Sequence, residues 1–243
     1  MTTSSRPVRR IERDPAAQVD PRAWPATIPA VRQLLDDGLE LAPGVTFLVG
    51  ENGSGKSTLV EAVAEAYGLN PEGGSRGARH RTRETESLLG SALRVVRNPG
   101  PLVASYFLRA ETMHGLYSYL EDNPARDVRS EPLFHRMSHG ESFLALLRTR
   151  FAGYGFFVLD EPESALSFRS CLALLALLDD LRREGAQVLC ATHSPLLASL
   201  PDATVLELGE HGWREVAYAD LDVVRDWKAF LAAPDRYLRH LLH

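Results

Sequence analysis

Cysteine is scarce in this 243-residue sequence, which contains only Cys171 and Cys190. Both lie in apolar surroundings, so we expect buried, reduced thiols rather than a disulfide or a metal pair. Long hydrophobic runs are also missing, because the longest, 171–178, is far shorter than the ~20 residues that a membrane-spanning helix needs. Residues 1–20 are polar and have no apolar core, which argues against a secretory signal. These absences predict a cytoplasmic protein without membrane insertion.

An excess of positive charge is absent as well. The sequence has 27 Lys and Arg residues and 32 Asp and Glu residues, which gives a net charge of −5. This balance argues against a protein whose main role is to coat nucleic acid or an anionic membrane. The hydrophobic content of 44% and the charged content of 24% are close to the globular average, which excludes global disorder.

Apolar runs and helical periodicities alternate along most of the chain. Strands are predicted at 45–49, 102–108, 156–159, 187–191 and 204–208, and helices at 57–67, 112–120, 140–151, 168–183 and 221–242. This alternation indicates an α/β fold, with a mostly parallel central sheet and flanking helices. We predict an irregular, proline-containing lead-in at 1–27 and a single domain over 28–243, in which 70–135 forms a reduced helical or lid region.

A glycine-rich segment separates the first predicted strand from the first predicted helix. Residues 50–57 fit the pattern G-x-x-x-x-G-K-[ST]. Glycines let backbone N–H groups curl round phosphate oxygens, and the positive end of the following helix points at the same anion. We expect Lys56 to reach the β- and γ-phosphates and the Ser57 hydroxyl to ligate Mg²⁺. The predicted ATP-binding residues are Gly50, Glu51, Asn52, Gly53, Ser54, Gly55, Lys56, Ser57 and Thr58.

Two acids, Asp160 and Glu161, end a buried strand. Acids there are costly unless something neutralises them, and Mg²⁺-ATP would do so, although a simple turn at Pro162 is the alternative. We expect Asp160 to hold Mg²⁺ directly or through its hydration shell, and Glu161 to polarise an attacking water. His193 follows the next strand and should face the same crevice, because ligands collect at the carboxyl ends of parallel strands.

Ser138, His139, Gly140 and Glu141 open another predicted helix. Ser138 could cap this helix together with Glu141, and taken alone the pattern favours that role. A helix that begins with serine and glycine is also a good phosphate receptor.

Together these segments resemble the ATP-binding-cassette (ABC) class of P-loop ATPases, specifically its small soluble AAA-type members akin to repair and chromosome-maintenance ATPases. The resemblance covers about residues 28–208. The matching segments are 50–57 for the Walker A loop, 138–141 for the signature motif, 156–161 for Walker B, 164–167 for the D-loop and His193 for the switch histidine.

The resemblance implies ATP hydrolysis by an ABC ATPase head with ATP and Mg²⁺ as cofactors. Glu161 and His193 would be catalytic, and Ser57 and Asp160 would hold the metal. ABC heads hydrolyse ATP at an interface between two copies, so Ser138 and Gly140 would act in trans in an ATP-dependent homodimer.

The sequence departs from the family pattern in several places. His139 and Glu141 replace the glycine and glutamine of many transporter signatures, and no glutamine follows the strand that ends near Leu108. Either Arg109 or Glu111 stands in the Q-loop position. Upstream of Walker A, Trp24 lies at a workable distance to stack on adenine, and an ordinary packing role suits it at least as well.

The stretch between Glu111 and Ser138 is short. Transporter ATPases place a helical subdomain there, and repair ATPases insert a long coiled coil before the signature. We therefore predict a stand-alone head that acts as a nucleotide-dependent switch on a protein or nucleic-acid client.

The alternatives are a transporter's ATP-hydrolysing subunit, disfavoured by the short stretch, and a non-hydrolysing nucleotide-binding regulator, disfavoured by the intact Glu161. A basic cluster could contact nucleic acid, although a solvated loop is the better account; its members are Arg76, Arg79, Arg81 and Arg83.

Overall fold

The computed structural model describes residues 6–71, 73–75, 89–99, 103–110, 139–239 and 241–242. The strands within this part are β1 (Val8–Arg13), β2 (Leu39–Glu40), β3 (Val45–Gly50), β4 (Gly74–Ser75), β5 (Leu93–Arg97), β6 (Ala104–Arg109), β7 (Gly155–Asp160), β8 (Gln187–Thr192), β9 (Thr204–Gly209) and β10 (Gly212–Glu215). The helices are α1 (Pro29–Asp37), α2 (Lys56–Tyr67), α3 (His139–Arg150), α4 (Phe168–Arg183), α5 (Asp222–Ala232) and α6 (Pro234–Leu238).

Seven of the described strands form the central sheet, in the order β10-β9-β3-β8-β7-β6-β4. The five inner strands are parallel, and the edge strands β10 and β4 are antiparallel to their neighbours. Val49 pairs with Thr192 and Asp160 pairs with Ala191, so the carboxyl ends of β3, β8 and β7 meet at one edge. The predicted α/β fold with a mostly parallel sheet is confirmed.

Apolar cores lie on both faces of this sheet, which explains why its inner strands are continuous hydrophobic runs. Phe47 on β3 belongs to a cluster with α3 and α4, whereas the adjacent Leu48 belongs to a cluster with α1 and α2. The helix α4 has the predicted bounds and is capped by Ser167, whose hydroxyl accepts a hydrogen bond from the backbone N–H of Ser170. Both cysteines are buried and free, as expected.

A second, three-stranded antiparallel sheet has the order β2-β1-β5. Its central strand lies at residues 8–13, within the segment predicted to be irregular. Val8 and Ile11 are buried while charged residues surround them, and the pairing with β5 is irregular between Val8 and Arg10. This irregularity breaks the two-residue alternation by which a half-buried strand is recognised in sequence.

Gln187, the first residue of β8, joins the two sheets. Its buried side chain accepts a hydrogen bond from the Val8 backbone N–H at 2.9 Å. The side-chain amide donates to the carbonyls of Val8 and Ala42, each at 2.9 Å. Because the two bonds to Val8 are buried away from bulk water, they fix the small sheet to the central sheet.

Several expectations lie outside the described residues, including the helix at 112–120, the basic cluster at 76–83 and both Glu111 and Ser138. The division into 1–27, 28–243 and a lid at 70–135 stays a prediction. The expected C-terminal helical segment forms as α5 and α6, separated at Ala233 before Pro234. Among the helices that the structure describes, none has the length and apolarity needed to cross a membrane.

Candidate nucleotide-binding site

The loop between β3 and α2 depends on glycine at two tight positions. A Cβ on Gly50 would lie 2.6 Å from the Leu208 carbonyl oxygen. A Cβ on Gly55 would lie 2.7 Å from Cγ2 of Ile28, and the φ of +97° at Gly55 is also unfavourable for other residues. The predicted phosphate loop therefore has a backbone path that larger residues would block.

Lys56 begins α2 with its side chain folded back under the loop. Its Nζ donates to the Glu51 carbonyl at 3.0 Å, and the residue is only 3% exposed. Burial lowers the pKa of Lys56, and the negative charges of Glu161 and Asp160 act in the opposite direction. The Ser54 hydroxyl is also buried and makes no hydrogen bond within the described part of the chain. A buried ammonium and an unpaired hydroxyl in a glycine loop fit a polyphosphate.

Ser57 and Asp160 meet between the two predicted motifs. The Ser57 hydroxyl donates to Oδ1 of Asp160 at 3.0 Å. Burial raises the pKa of Asp160 to about 6, while the Ser57 hydrogen bond and the Arg109 charge act to lower it. Hydroxyl and carboxylate oxygens are ligands that Mg²⁺ accepts, so this pair fits the expected metal.

Glu161, which follows Asp160 in the chain, forms a pair with His193. Nε2 of His193 lies 2.9 Å from Oε1 of Glu161. The backbone N–H of Glu161 donates to the Ala191 carbonyl at 3.0 Å, and the residue adopts a left-handed φ of +46°. Both side chains are about one-third exposed, so they line an open face at the sheet edge.

Glu163 holds the histidine strand in place, a role that the sequence did not indicate. Its Oε1 accepts from the Thr192 hydroxyl at 2.7 Å and from the His193 backbone N–H at 2.5 Å. The only sequence signal was an additional acid after Walker B, and nothing in the chain order pairs that acid with Thr192. Glu163 therefore positions His193 through its backbone.

Arg109, one of the two Q-loop candidates, lies beside Asp160. It pairs in register with Asp160 across β6 and β7, and its Nε is 3.5 Å from Oδ2 of Asp160. A second guanidinium nitrogen of Arg109, Nη1, is 2.5 Å from Oε1 of Glu61 on α2. Arg109 thus connects α2, β6 and β7, whereas Glu111 lies outside the described residues.

For the remaining predicted site residues, the structure gives a position in the fold. Thr58 lies in the first turn of α2, and Glu51, Asn52 and Gly53 are exposed on the loop. Gly140 lies at the start of α3. The assignments of Ser138 and Gly140 to a partner's site stay predictions, as does every other residue role.

A cleft with a volume of about 870 Å³ opens beside the phosphate loop. It runs from the loop to the end of β9 and to one face of α5. Trp24 is 67% exposed and is not among the residues that line this cleft. The lining residues are Pro29, Val49, Gly50, Glu51, Asn52, Gly53, Ser54, His193, Glu207, Leu208, Gly209, Glu210, Asp222, Val223, Asp226 and Trp227.

Two family models match the chain. One is described as "AAA domain" and covers residues 27–92, and the other as "AAA domain, putative AbiEii toxin, Type IV TA system" and covers residues 141–199. Among solved structures, cbiO1 from Clostridium perfringens, part of the ABC transporter complex cbiONQ, is similar with a TM-score of 0.46 at 16% identity. That alignment covers 84% of this chain and 90% of cbiO1.

Two curated proteins are similar over most of their length. The cytochrome c biogenesis ATP-binding export protein CcmA of Maricaulis maris is 31% identical over 202 residues, covering 72% of this chain and 85% of that protein. The zinc import ATP-binding protein ZnuC of Yersinia enterocolitica is 32% identical over 202 residues, covering 74% and 71%. Together with the glycine loop, its buried lysine and the acids that close β7, this similarity establishes that the chain belongs to the ABC class of P-loop ATPases and is an ATP-binding ATPase.

Proposed function

We propose that this chain hydrolyses Mg²⁺-ATP with its triphosphate held along residues 50–58. The observation that carries this proposal is the 3.0 Å hydrogen bond from Ser57 to Asp160, which joins the phosphate loop to the strand with the acids. Lys56 and the loop amides would bind phosphate oxygens, and Ser57 with Asp160 would hold the metal. Bound Mg²⁺ would supply positive charge to the β- and γ-phosphate oxygens.

Glu161 is the proposed general base. Its carboxylate lies next to the phosphate loop and would accept a proton from the attacking water. His193, at 2.9 Å, orients this carboxylate and would contact the γ-phosphate. Glu163 keeps His193 in place through the bond to its backbone N–H, so it acts as a positioning residue.

A second copy would complete the site. Glu161 and His193 are about one-third exposed, and phosphoryl transfer benefits from a surface that excludes bulk water. We propose that Ser138 and Gly140 of a partner cover the γ-phosphate in an ATP-dependent homodimer. The nucleotide would then be part of the interface, and hydrolysis would weaken the dimer.

The relatives change the order of the two candidate biological roles. The sequence expectation put a soluble switch before a transporter subunit, but the curated relatives are ATP-binding proteins for export and import. We therefore propose first that this chain is the ATP-hydrolysing subunit of a membrane transporter. The soluble, cytoplasmic switch on a protein or nucleic-acid client is the second candidate, favoured by the short stretch between Glu111 and Ser138.

The hydrolytic proposal is tested with Glu161→Gln, compared with Glu215→Gln at an exposed position on β10 as the matched control. We expect Glu161→Gln to bind ATP, to release almost no phosphate and to elute as a dimer in gel filtration with Mg²⁺-ATP. The control should behave as the wild type does. A monomeric Glu161→Gln protein that retains ATP would contradict the two-copy mechanism.

The role is tested by locating the full-length chain in its native cells. Co-purification with an integral membrane protein supports the transporter subunit. A chain that stays free of membranes, and whose phosphate release rises with double-stranded DNA, supports the soluble switch.

A further inference from the structure

The cleft beside the phosphate loop extends from residues 50–54 of the loop to a wall made by α5. This helix is fixed at its start, because the backbone N–H of Asp222 donates to Oε1 of Glu207 at 2.7 Å. The other carboxylate oxygen of Glu207 is held by Arg214 at 2.7 Å. Glu207 lies on β9, the direct neighbour of the phosphate-loop strand β3. The position of α5 relative to the loop is therefore set by hydrogen bonds to the central sheet.

Two faces of α5 have different roles. Leu221, just before the helix, and Val224 are buried in the core. Val223, Asp226 and Trp227 line the cleft, and their spacing of three and four residues puts them on one helix face. The helix thus presents an aromatic ring and a carboxylate toward the loop.

Trp227 is 51% exposed, and its ring is in contact with one other aromatic ring. Phe230 lies edge-on to the Trp227 ring with 6.5 Å between centroids, and Tyr237 lies 5.7 Å from Phe230. These contacts restrict the indole while leaving a large part of it accessible. A restrained, accessible aromatic surface next to a phosphate loop is suited to stacking on a planar base.

We propose that Trp227 binds the purine base of the nucleotide whose triphosphate occupies residues 50–58. This inference rests on the function proposed above and assigns the base to the C-terminal helix α5 rather than to the upstream aromatic Trp24. Trp24 is not among the residues that line the cleft, whereas Trp227 and the loop line it together.

The charge of the cleft matches this orientation of the nucleotide. Four acids line the cleft where β9 and α5 form it, and Glu51 is the one acid that lines it at the phosphate loop; the four are Glu207, Glu210, Asp222 and Asp226. They would repel phosphate, so the triphosphate belongs at the end of the cleft that the loop forms. Carboxylates accept hydrogen bonds from the ribose hydroxyls and from the exocyclic amine of a purine. The cleft volume of about 870 Å³ lies within the range of small-ligand pockets.

The test measures binding of Mg²⁺-ATP and of inorganic tripolyphosphate to the full chain by calorimetry. We expect Trp227→Ala to weaken ATP binding about tenfold, as is typical for loss of one base-stacking ring, and Trp227→Phe to stay within about threefold of the wild type. Tripolyphosphate has no base, so its affinity should not change in either variant. Trp24→Ala is the matched control and should bind ATP as the wild type does.

Several outcomes would overturn the assignment. Wild-type ATP affinity in Trp227→Ala, an equal loss of ATP and tripolyphosphate affinity in Trp227→Phe, or a tenfold loss in Trp24→Ala would each do so. Thermal unfolding shows whether Trp227→Ala has folded, and Trp227→Phe keeps the test valid if it has not. Failure of the proposed function is distinct, because ATP would then bind equally well to the wild type and to Lys56→Ala.

Discussion

The turns that follow β3 and β7 lie at the same sheet edge but are built by opposite means. The loop after β3 requires the absence of side chains, since a Cβ on Gly55 would contact Ile28. The turn after β7 requires side-chain partners, because buried Asp160 is held by Ser57 and Arg109. A substitution in the loop is therefore harmful because the new side chain clashes with its neighbours. A substitution in the turn is harmful because it leaves buried polar groups without a partner.

The largest effect is expected from a substitution in the glycine loop after β3. We expect Gly55→Ala to lower ATP affinity at least 100-fold and to destabilise the fold by about 2 kcal/mol, because it combines a close contact with an unfavourable φ. Calorimetry with ATP and thermal unfolding measure the two effects.

Gly53→Ala separates backbone strain from contact. Gly53 has a φ of +81°, but a Cβ there would meet nothing within 4 Å. Its stability loss should be about 1 kcal/mol, with ATP binding largely kept. Equal losses in both glycine variants would show that close packing against Ile28 does not matter.

The turn after β7 gives a prediction about charge: a variant of Asp160 that loses activity should gain stability relative to the wild type as pH rises. The pKa of Asp160, about 6 in the folded protein, is above its ordinary value of 3.8, so its contribution to stability falls as pH rises through 6. Asp160→Asn removes this titration. Without nucleotide and metal, the variant's stability relative to the wild type should rise by about 1 kcal/mol between pH 5 and pH 8.

Thermal unfolding in a chelator measures this difference, and phosphate release should be nearly lost in the same variant. A wild-type protein that becomes more stable relative to Asp160→Asn as pH rises would contradict the burial argument.

Glu163 tests whether indirect positioning matters. We expect Glu163→Ala to lower kcat about tenfold with little change in KM, because His193 loses the acceptor of its backbone N–H. Glu163→Gln retains an acceptor oxygen and should recover most of the rate. If the alanine variant instead raises KM alone, Glu163 acts on ATP binding and not through His193.

The last prediction concerns Arg109, whose loss should change stability only modestly. Arg109→Ala removes its ion pairs with Glu61 and Asp160 and should destabilise the nucleotide-free protein by about 1 kcal/mol. Arg109→Lys should restore part of this loss, since it keeps the charge without the planar fork. Chemical denaturation of both variants provides the measurement, and equal stability of alanine variant and wild type would exclude this role.

The central sheet and the core of the site could be predicted from sequence because their signals are local. The spacing of apolar residues predicts the bounds of α4, and the order of strand, loop and helix predicts that Lys56 lies at the start of a helix. Parallel pairing then requires the ends of β3, β7 and β8 to meet, which brings Ser57 to Asp160.

Other features depend on contacts between distant segments and leave no local signal. The bond from Glu163 to Thr192 requires the exact path of the turn after β7. The strand at residues 8–13 has no regular two-residue alternation, because its pairing with β5 is irregular and charged residues cover its exposed side. Trp227 lies far along the chain from the loop that it shares a cleft with.

Gln187 also has a mechanical consequence. It fastens the three-stranded sheet to the amino end of β8, and His193 follows the carboxyl end of the same strand. A six-residue strand is about 20 Å long and resists stretching. The outer sheet and the histidine are therefore attached to opposite ends of one strand, and we expect a displacement of the sheet to be felt at the histidine.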